Sequence, residues 1–177
     1  MNLIDTLGEK WIRLFIHPLK ADAPLSFKSQ LAKSKSVVIA CPPGDSIRFH
    51  RDSILQLLGL FNNRGVIVCD DNGTGRPEAV FPSSVRVISV PKMGRWKLLH
   101  SGLFKELYGR FDAFIDLDPA YSLRHILLAR TCSPPLRIGF TKERSDAHYN
   151  LQYGGQAGDA YEKRLLGLYR FLKQFYS

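Results

Sequence analysis

The sequence has few cysteines, no long apolar run and no metal-ligand spacing, and each absence excludes a class of protein. Its 3 cysteines show no CxxC spacing and its 5 histidines no HxxxH spacing, so we expect reduced, buried thiols and no metal site. No apolar run approaches the ~20 residues that cross a bilayer, and residues 1–20 lack the segment order of a secretory signal. We therefore expect a cytoplasmic protein without a metal ion or organic cofactor.

Negative charge is also scarce. The chain has 25 Lys and Arg but only 16 Asp and Glu, so its formal net charge is +9. This charge predicts attraction to polyanions. The basic residues are scattered, however, and include no RGG run, zinc-finger spacing or RNP-type aromatic motif. We therefore consider nucleic acid an unlikely partner, and an anionic lipid or phosphorylated glycolipid fits the charge equally well.

The first part of the chain predicts an amphipathic helix over residues 1–20, ended by Pro18, and then a polar, proline-bearing connector over residues 21–35. Two interpretations of the helix stay open. It either docks on the core of its own domain, or it lies in a membrane interface with Trp11 at headgroup depth. The second would bring the protein to the inner face of the cytoplasmic membrane. The apolar stripe consists of Leu3, Ile4, Leu7, Trp11, Leu14 and Phe15.

Residues 36–177 alternate between apolar runs of strand length and amphipathic helical patterns. This alternation predicts one Rossmann-like three-layer α/β domain with a mostly parallel sheet of about five strands. Ligands of such sheets bind at the carboxyl ends of the strands, so function is expected in the loops that follow them. The predicted strands are 36–41, 65–69, 85–90, 113–117 and 136–140, and the predicted helices cover about 47–61, 96–107, 121–130 and 161–175.

The most informative stretch is Phe111–Phe140, which combines the strand FDAFIDL, a helix through Ala129 and the tetrapeptide Arg137-Ile138-Gly139-Phe140. With these motifs, residues 36–176 resemble the N-terminal half of the ADP-heptose lipopolysaccharide heptosyltransferases, glycosyltransferase family 9. That family pairs two Rossmann-like halves in a GT-B fold, and this chain is long enough for one. The resemblance implies an acceptor-binding half that acts in lipopolysaccharide or cell-envelope glycan synthesis, with a partner chain supplying the nucleotide-sugar site. The alternative is a catalytically inactive glycolipid-binding or scaffold module.

Gly44 and Asp45 follow the first predicted strand and open the first helix. The resemblance implies that Asp45 is the base that deprotonates the acceptor hydroxyl, a role that a positioned carboxylate can fill. Judged by its place alone, Asp45 can equally be a helix cap that accepts hydrogen bonds from the first backbone amides.

Several basic residues are candidates for holding an acidic acceptor. Arg48, His50 and Arg51 form a short basic cluster on the first helix that could hold a phosphate or carboxylate, since Arg offers a bidentate fork to such groups. A solvated helix face explains the cluster nearly as well. In the family-like region, Arg137 is predicted to anchor the loop that carries Lys142 and Arg144 toward the acceptor. Within the same tetrapeptide, the glycine is predicted to let the backbone turn at the strand end.

Asp116 and Asp118 have the DxD spacing of metal-dependent glycosyltransferases. We assign them no metal, because two carboxylates at this spacing are common by chance and the family resembled here is metal-independent. Asp118 lies on the acceptor side and departs from the family pattern, in which a neutral residue such as Gln stands. Its charge would disfavour a phosphorylated acceptor.

Overall fold

The structure is a computed structural model that describes residues 26–43, 46–71, 77–91, 107, 109, 111–142, 148–155 and 158–176. Its strands are β1 (Val37–Ala40), β2 (Gly65–Asp71), β3 (Arg86–Pro91), β4 (Ala113–Asp116), β5 (Leu136–Phe140) and β6 (Leu151–Tyr153). Its helices are α1 (Phe27–Lys33), α2 (Ser46–Gly59), α3 (Leu123–Cys132) and α4 (Tyr161–Lys173), with a 3-10 turn at Pro77–Val80.

The strands form a six-stranded parallel sheet in the order β3-β2-β1-β4-β5-β6. The chain moves outward from β1 to β3 on one side and returns to β4 on the other, so the topological switch lies between β1 and β4. Ligands of open α/β sheets bind at this point. The predicted α/β class is confirmed, and the sheet has one strand more than expected. Strand β6 has three half-buried residues and therefore no continuous apolar run.

Helices cover both faces of the sheet, and alternate strand residues point to each face. On one face, Ile54 of α2 and Leu168 of α4 share a core with Ile39 of β1. On the other, Leu128 of α3 packs with Val38 of β1 and other small or branched strand residues. Both cores exclude water from central strands, which explains why these strands are rich in β-branched residues. The three cysteines, Cys41, Cys69 and Cys132, are buried and free, as predicted.

The connector predicted at residues 21–35 contains helix α1, which the sequence analysis missed. Only Leu31 of α1 is fully buried, so the helix lacks a broad apolar stripe in an otherwise polar segment. The helix predicted at 1–20 and all but the last residue of the one predicted at 96–107 lie outside the described residues. None of the helices in the described part is long and apolar enough to cross a membrane.

Candidate functional site

A buried group of charged and polar side chains lies at the carboxyl edge of β4 and β5. Asp116, the last residue of β4, is fully buried. Its Oδ1 lies 2.7 Å from His125 Nδ1, and its Oδ2 accepts hydrogen bonds from Lys142 Nζ at 2.6 Å and from the Tyr149 hydroxyl. The partners come from α3, from the loop after β5 and from the segment before β6. We call Asp116, His125, Lys142 and Tyr149 the paired cluster.

Local sequence features place these side chains. Ser122 caps α3, because its hydroxyl accepts a hydrogen bond from His125 N at 3.3 Å, and so it positions His125 in the first helical turn. Gly139 lies beside Asp116 in the sheet register, and a Cβ atom there would meet the Tyr149 ring at 3.1 Å. The glycine therefore lets this ring pack against β5. The predicted turn at Gly139 was wrong, since the residue lies within a regular strand.

The charges of the paired cluster stabilise one another. Burial alone would raise the pKa of Asp116, but His125 and Lys142 outweigh it and hold the pKa well below its usual range. Burial alone would lower the pKa of His125, and Asp116 reverses the direction, so the imidazolium is favoured. Burial and Asp116 together raise the pKa of Tyr149, which keeps its hydroxyl protonated as a donor. The Asp116 carboxylate is thus charged and fully engaged, which suits an anchor better than a proton acceptor.

Asp118 belongs to the loop after β4 and is also buried. Its Oδ1 accepts a hydrogen bond from Ala120 N at 2.8 Å, and its carbonyl accepts one from Lys142 Nζ at 2.8 Å. Burial, with Asp116 adding to it, raises the pKa of Asp118. In the described residues, no group of three His, Cys, Asp or Glu side chains could hold a metal ion. Through these two hydrogen bonds, Asp118 helps to fix the conformation of its own loop.

The other predicted residues occupy different places. Arg48 and Arg51 are exposed on α2 and flank Phe49, whose side chain is 83% exposed. Arg137 is buried near the amino end of β5, where its guanidinium donates hydrogen bonds to the carbonyls of His148 at 3.0 Å and Pro134 at 3.1 Å. It therefore ties β5 to the segment that precedes β6. Gly44, Asp45 and Arg144 lie outside the described residues.

A second group of side chains lies on the opposite face of the sheet, where α2 and α4 pack. The His50 ring contacts the Tyr161 ring edge-on with centroids 4.7 Å apart, and the Arg164 guanidinium lies 4.7 Å from the centroid of the Phe140 ring. The rings of Tyr161 and Phe140 are 6.1 Å apart. Three buried atoms, His50 Nδ1, the Tyr161 hydroxyl oxygen and Arg164 Nε, have no hydrogen-bond partner in the described structure. We call His50, Tyr161 and Arg164 the unpaired cluster.

The unpaired cluster also belongs to the carboxyl edge. His50 lies on the helix after β1, Phe140 ends β5 and Tyr161 begins α4. Burial raises the pKa of Tyr161, and Cys41 after β1 contributes to the same shift together with the carboxyl groups of Asp118 and Asp116. Sequence analysis named His50 only within a basic cluster on the first helix and did not join it to Tyr161 and Arg164, because the three residues come from distant segments and match no motif.

A further ion pair spans this edge. Arg124 of α3 binds the Asp70 carboxylate at the end of β2 at 2.6 Å and donates a hydrogen bond to the Val90 carbonyl of β3 at 3.0 Å. Burial lowers the pKa of Arg124, and Asp70 opposes that shift. Both groups are partly exposed, so the pair joins α3 to the outer strands with only a modest effect on stability.

Comparison with known proteins supports the fold. No protein-family model and no curated protein sequence matches the chain. The glycosyl transferase family 9 structure from Veillonella parvula DSM 2008 is 14% identical, with a TM-score of 0.53 over 81% of this chain and 41% of that one. The E. coli heptosyltransferase WaaC with ADP is also 14% identical, with a TM-score of 0.56 over 77% of this chain and 46% of that one. The chain spans less than half the length of either, and its fold corresponds to about half of a GT-B glycosyltransferase.

Proposed function

We propose that this domain is the acceptor-binding half of a heptosyltransferase-like glycosyltransferase acting in lipopolysaccharide or cell-envelope glycan synthesis. The observation that carries the proposal is the similarity of its fold to two glycosyltransferase structures, one of them a heptosyltransferase. The nucleotide sugar would bind to a partner that contributes the other half of the GT-B fold.

The proposed catalytic base is Asp45. Sugar transfer requires the acceptor hydroxyl to lose its proton while its oxygen bonds to the anomeric carbon, and a nearby carboxylate can accept that proton. In the sequence, Asp45 lies between β1 and α2, and β1 is one of the two strands at the topological switch. The described carboxylates at the same edge are engaged elsewhere: Asp116 in the paired cluster, Asp118 with a backbone amide and Asp70 with Arg124. None of these three competes with Asp45 for the role.

For the acceptor, we propose recognition by positive charge. Arg48 and Arg51 are exposed on the helix that follows Asp45, and Arg144 follows β5 in the sequence. Arg137 and Lys142, which bind the protein's own backbone, act in this proposal by positioning the loops around the acceptor. The net charge of +9 would favour an anionic glycolipid, and the predicted helix at residues 1–20 would hold the domain at the inner face of the membrane.

A second candidate function is a glycolipid-binding or scaffold module without catalytic activity. It follows if Asp45 is no base, because the three described carboxylates named above already have partners within the protein and none of them would replace it. A domain of this kind would still bind the acceptor, but Asp45 would only cap α2.

An assay of sugar transfer separates the two candidates. The tagged chain is purified from its native cells with its bound partners and incubated with radiolabelled ADP-heptose and lipid A. We expect label in the glycolipid, and Asp45→Asn should lower the rate by about 100-fold or more. Asp52→Asn, an exposed carboxylate on the same helix, should leave the rate unchanged. Saturable binding of lipid A without transfer would support the module, and the absence of both would overturn both candidates.

A further inference from the structure

Arg164 of α4 carries a permanent positive charge close to the last residue of β5. Its guanidinium lies over the Phe140 ring, and a Cβ atom on Gly155 would lie 3.5 Å from its Nε. Its side chain is half-buried, and Nε itself is shielded from solvent without a hydrogen-bond partner in the described structure. A buried donor to which water has no access typically costs about 1–3 kcal/mol of stability, so a retained one calls for an explanation.

Two further polar groups accompany this charge. The Tyr161 hydroxyl is one helical turn before Arg164 on α4, and His50 packs against the Tyr161 ring from α2. The hydroxyl can donate a hydrogen bond, and so can His50 Nδ1 in the tautomer that carries its hydrogen there. Buried hydroxyls without a partner in the described structure also occur elsewhere, as at Ser89 and Tyr176. In this cluster, the neutral groups accompany a permanent positive charge.

We propose that the unpaired cluster is a subsite for an anionic oxygen group, either a carboxylate or a phosphate, on a sugar ligand. One cation and two neutral donors match the several acceptor oxygens of such a group, and guanidinium recognises both kinds. The three side chains are half-buried, but their unpaired atoms are shielded from solvent, so a ligand reaches those atoms only when the side chains move. The subsite lies at the carboxyl edge, where a ligand of this fold is expected.

This inference deepens the proposed function, on which the assignment of the anion to the sugar acceptor rests. The binding itself can be tested separately. Anion binding without any transfer would leave the subsite standing and overturn the enzyme, whereas transfer to the glycolipid without anion binding would overturn the subsite alone.

The test follows the amide NMR signals of the full chain during titration with three sugars of similar size. Glucose 6-phosphate supplies a phosphate, gluconate a carboxylate and glucose neither. We expect saturable shifts with at least one of the two anions and none with glucose, and the anion that binds more tightly identifies the group. Equal binding of glucose would overturn the proposal.

Matched variants locate the binding. Arg164→Gln should weaken anion binding at least tenfold, Tyr161→Phe should weaken it severalfold, and Arg164→Lys should retain part of it. Arg170→Gln makes the same change in charge at an exposed position of the same helix and should alter the affinity less than twofold. Each variant is first checked for a native spectrum. If Arg170→Gln weakens binding as much as Arg164→Gln, the attraction is general and the subsite is refuted.

Discussion

The two clusters at the carboxyl edge contain similar residue types but differ in whether their polar atoms have hydrogen-bond partners. In the paired cluster, the Asp116 carboxylate binds a histidine, a lysine and a tyrosine within the protein. In the unpaired cluster, a histidine, a tyrosine and an arginine bury polar atoms that find no partner in the described structure. Because a buried charge or donor is favourable only when it is paired, the first cluster stabilises the fold and the second costs stability.

Under the proposed anion subsite, the α2 and α4 face of the sheet is the one that serves ligands. A protein retains an energetic cost mainly where function needs it, and ligand sites commonly give up stability for binding. The paired cluster on the α3 face holds the loops after β4 and β5 in place. On the α2 and α4 face, a bound anion would supply the hydrogen-bond partners that the unpaired cluster lacks in the described structure.

The largest effect is expected from breaking the paired cluster at its centre. Asp116→Ala leaves Lys142 as a buried cation without its counter-charge and removes the hydrogen-bond acceptor of His125 and Tyr149, which should lower the free energy of unfolding by about 3–5 kcal/mol. Urea unfolding followed by circular dichroism measures this loss. Asp52→Ala, at an exposed position, should change stability by less than about 0.5 kcal/mol. A loss below about 1 kcal/mol for Asp116→Ala would show that this cluster is not an anchor.

A smaller effect is expected at the strand residue that accommodates Tyr149. Gly139→Ala places a methyl group against the aromatic ring, at 3.1 Å from its nearest atom. The ring must shift away from β5, and such overpacking should cost about 1–3 kcal/mol. Gly59→Ala, where the added methyl group meets nothing within 4 Å, provides the control and should not destabilise the helix. Equal effects of the two substitutions would contradict the packing role of Gly139.

The smallest effect concerns pH. The interactions that raise the pKa of His125 stabilise the fold fully at pH values below the pKa of the unfolded state, which is near 6.5. This contribution is lost as the pH rises through the pKa of the folded state. The stability difference between wild type and His125→Asn should therefore shrink between pH 6 and pH 9. Asp116, Asp118 and Lys142 are the charged groups that act on this imidazole. Urea unfolding at several pH values checks the trend, and a constant difference would mean that the imidazole does not titrate differently on folding.

The sequence predicted the framework of the sheet better than the candidate site. Strands such as Val37–Ala40 and Ala113–Asp116 are continuous apolar runs, which is the pattern of strands covered on both faces. Strand β6 and helix α1 escaped prediction, because the first is three residues long and the second buries only Leu31. Short elements are specified by tertiary packing more than by their own pattern.

Site residues were harder to predict for a related reason. The sequence analysis named Lys142 and Asp118 as acceptor-binding residues, because the order of strands and loops puts both near the carboxyl edge, and that role stays a prediction. His125 and Tyr149 were not, since a single histidine in a helix and a single tyrosine in a loop carry no spacing signal. Their roles depend on the order of the strands in the sheet. Gly139, which leaves room for the Tyr149 ring, lies beside Asp116 because β5 pairs with β4.

Two tyrosines allow the most direct test, because the same substitution should have opposite effects in the two clusters. Tyr149→Phe removes a hydrogen bond to a charged carboxylate and should lower the free energy of unfolding by about 1.5–3 kcal/mol. Tyr161→Phe removes a buried hydroxyl without a partner in the described structure. Urea unfolding should show it to be as stable as wild type or up to about 1 kcal/mol more stable, while NMR titration shows weaker anion binding. Equal destabilisation by both substitutions, with anion binding unchanged in Tyr161→Phe, would contradict the account.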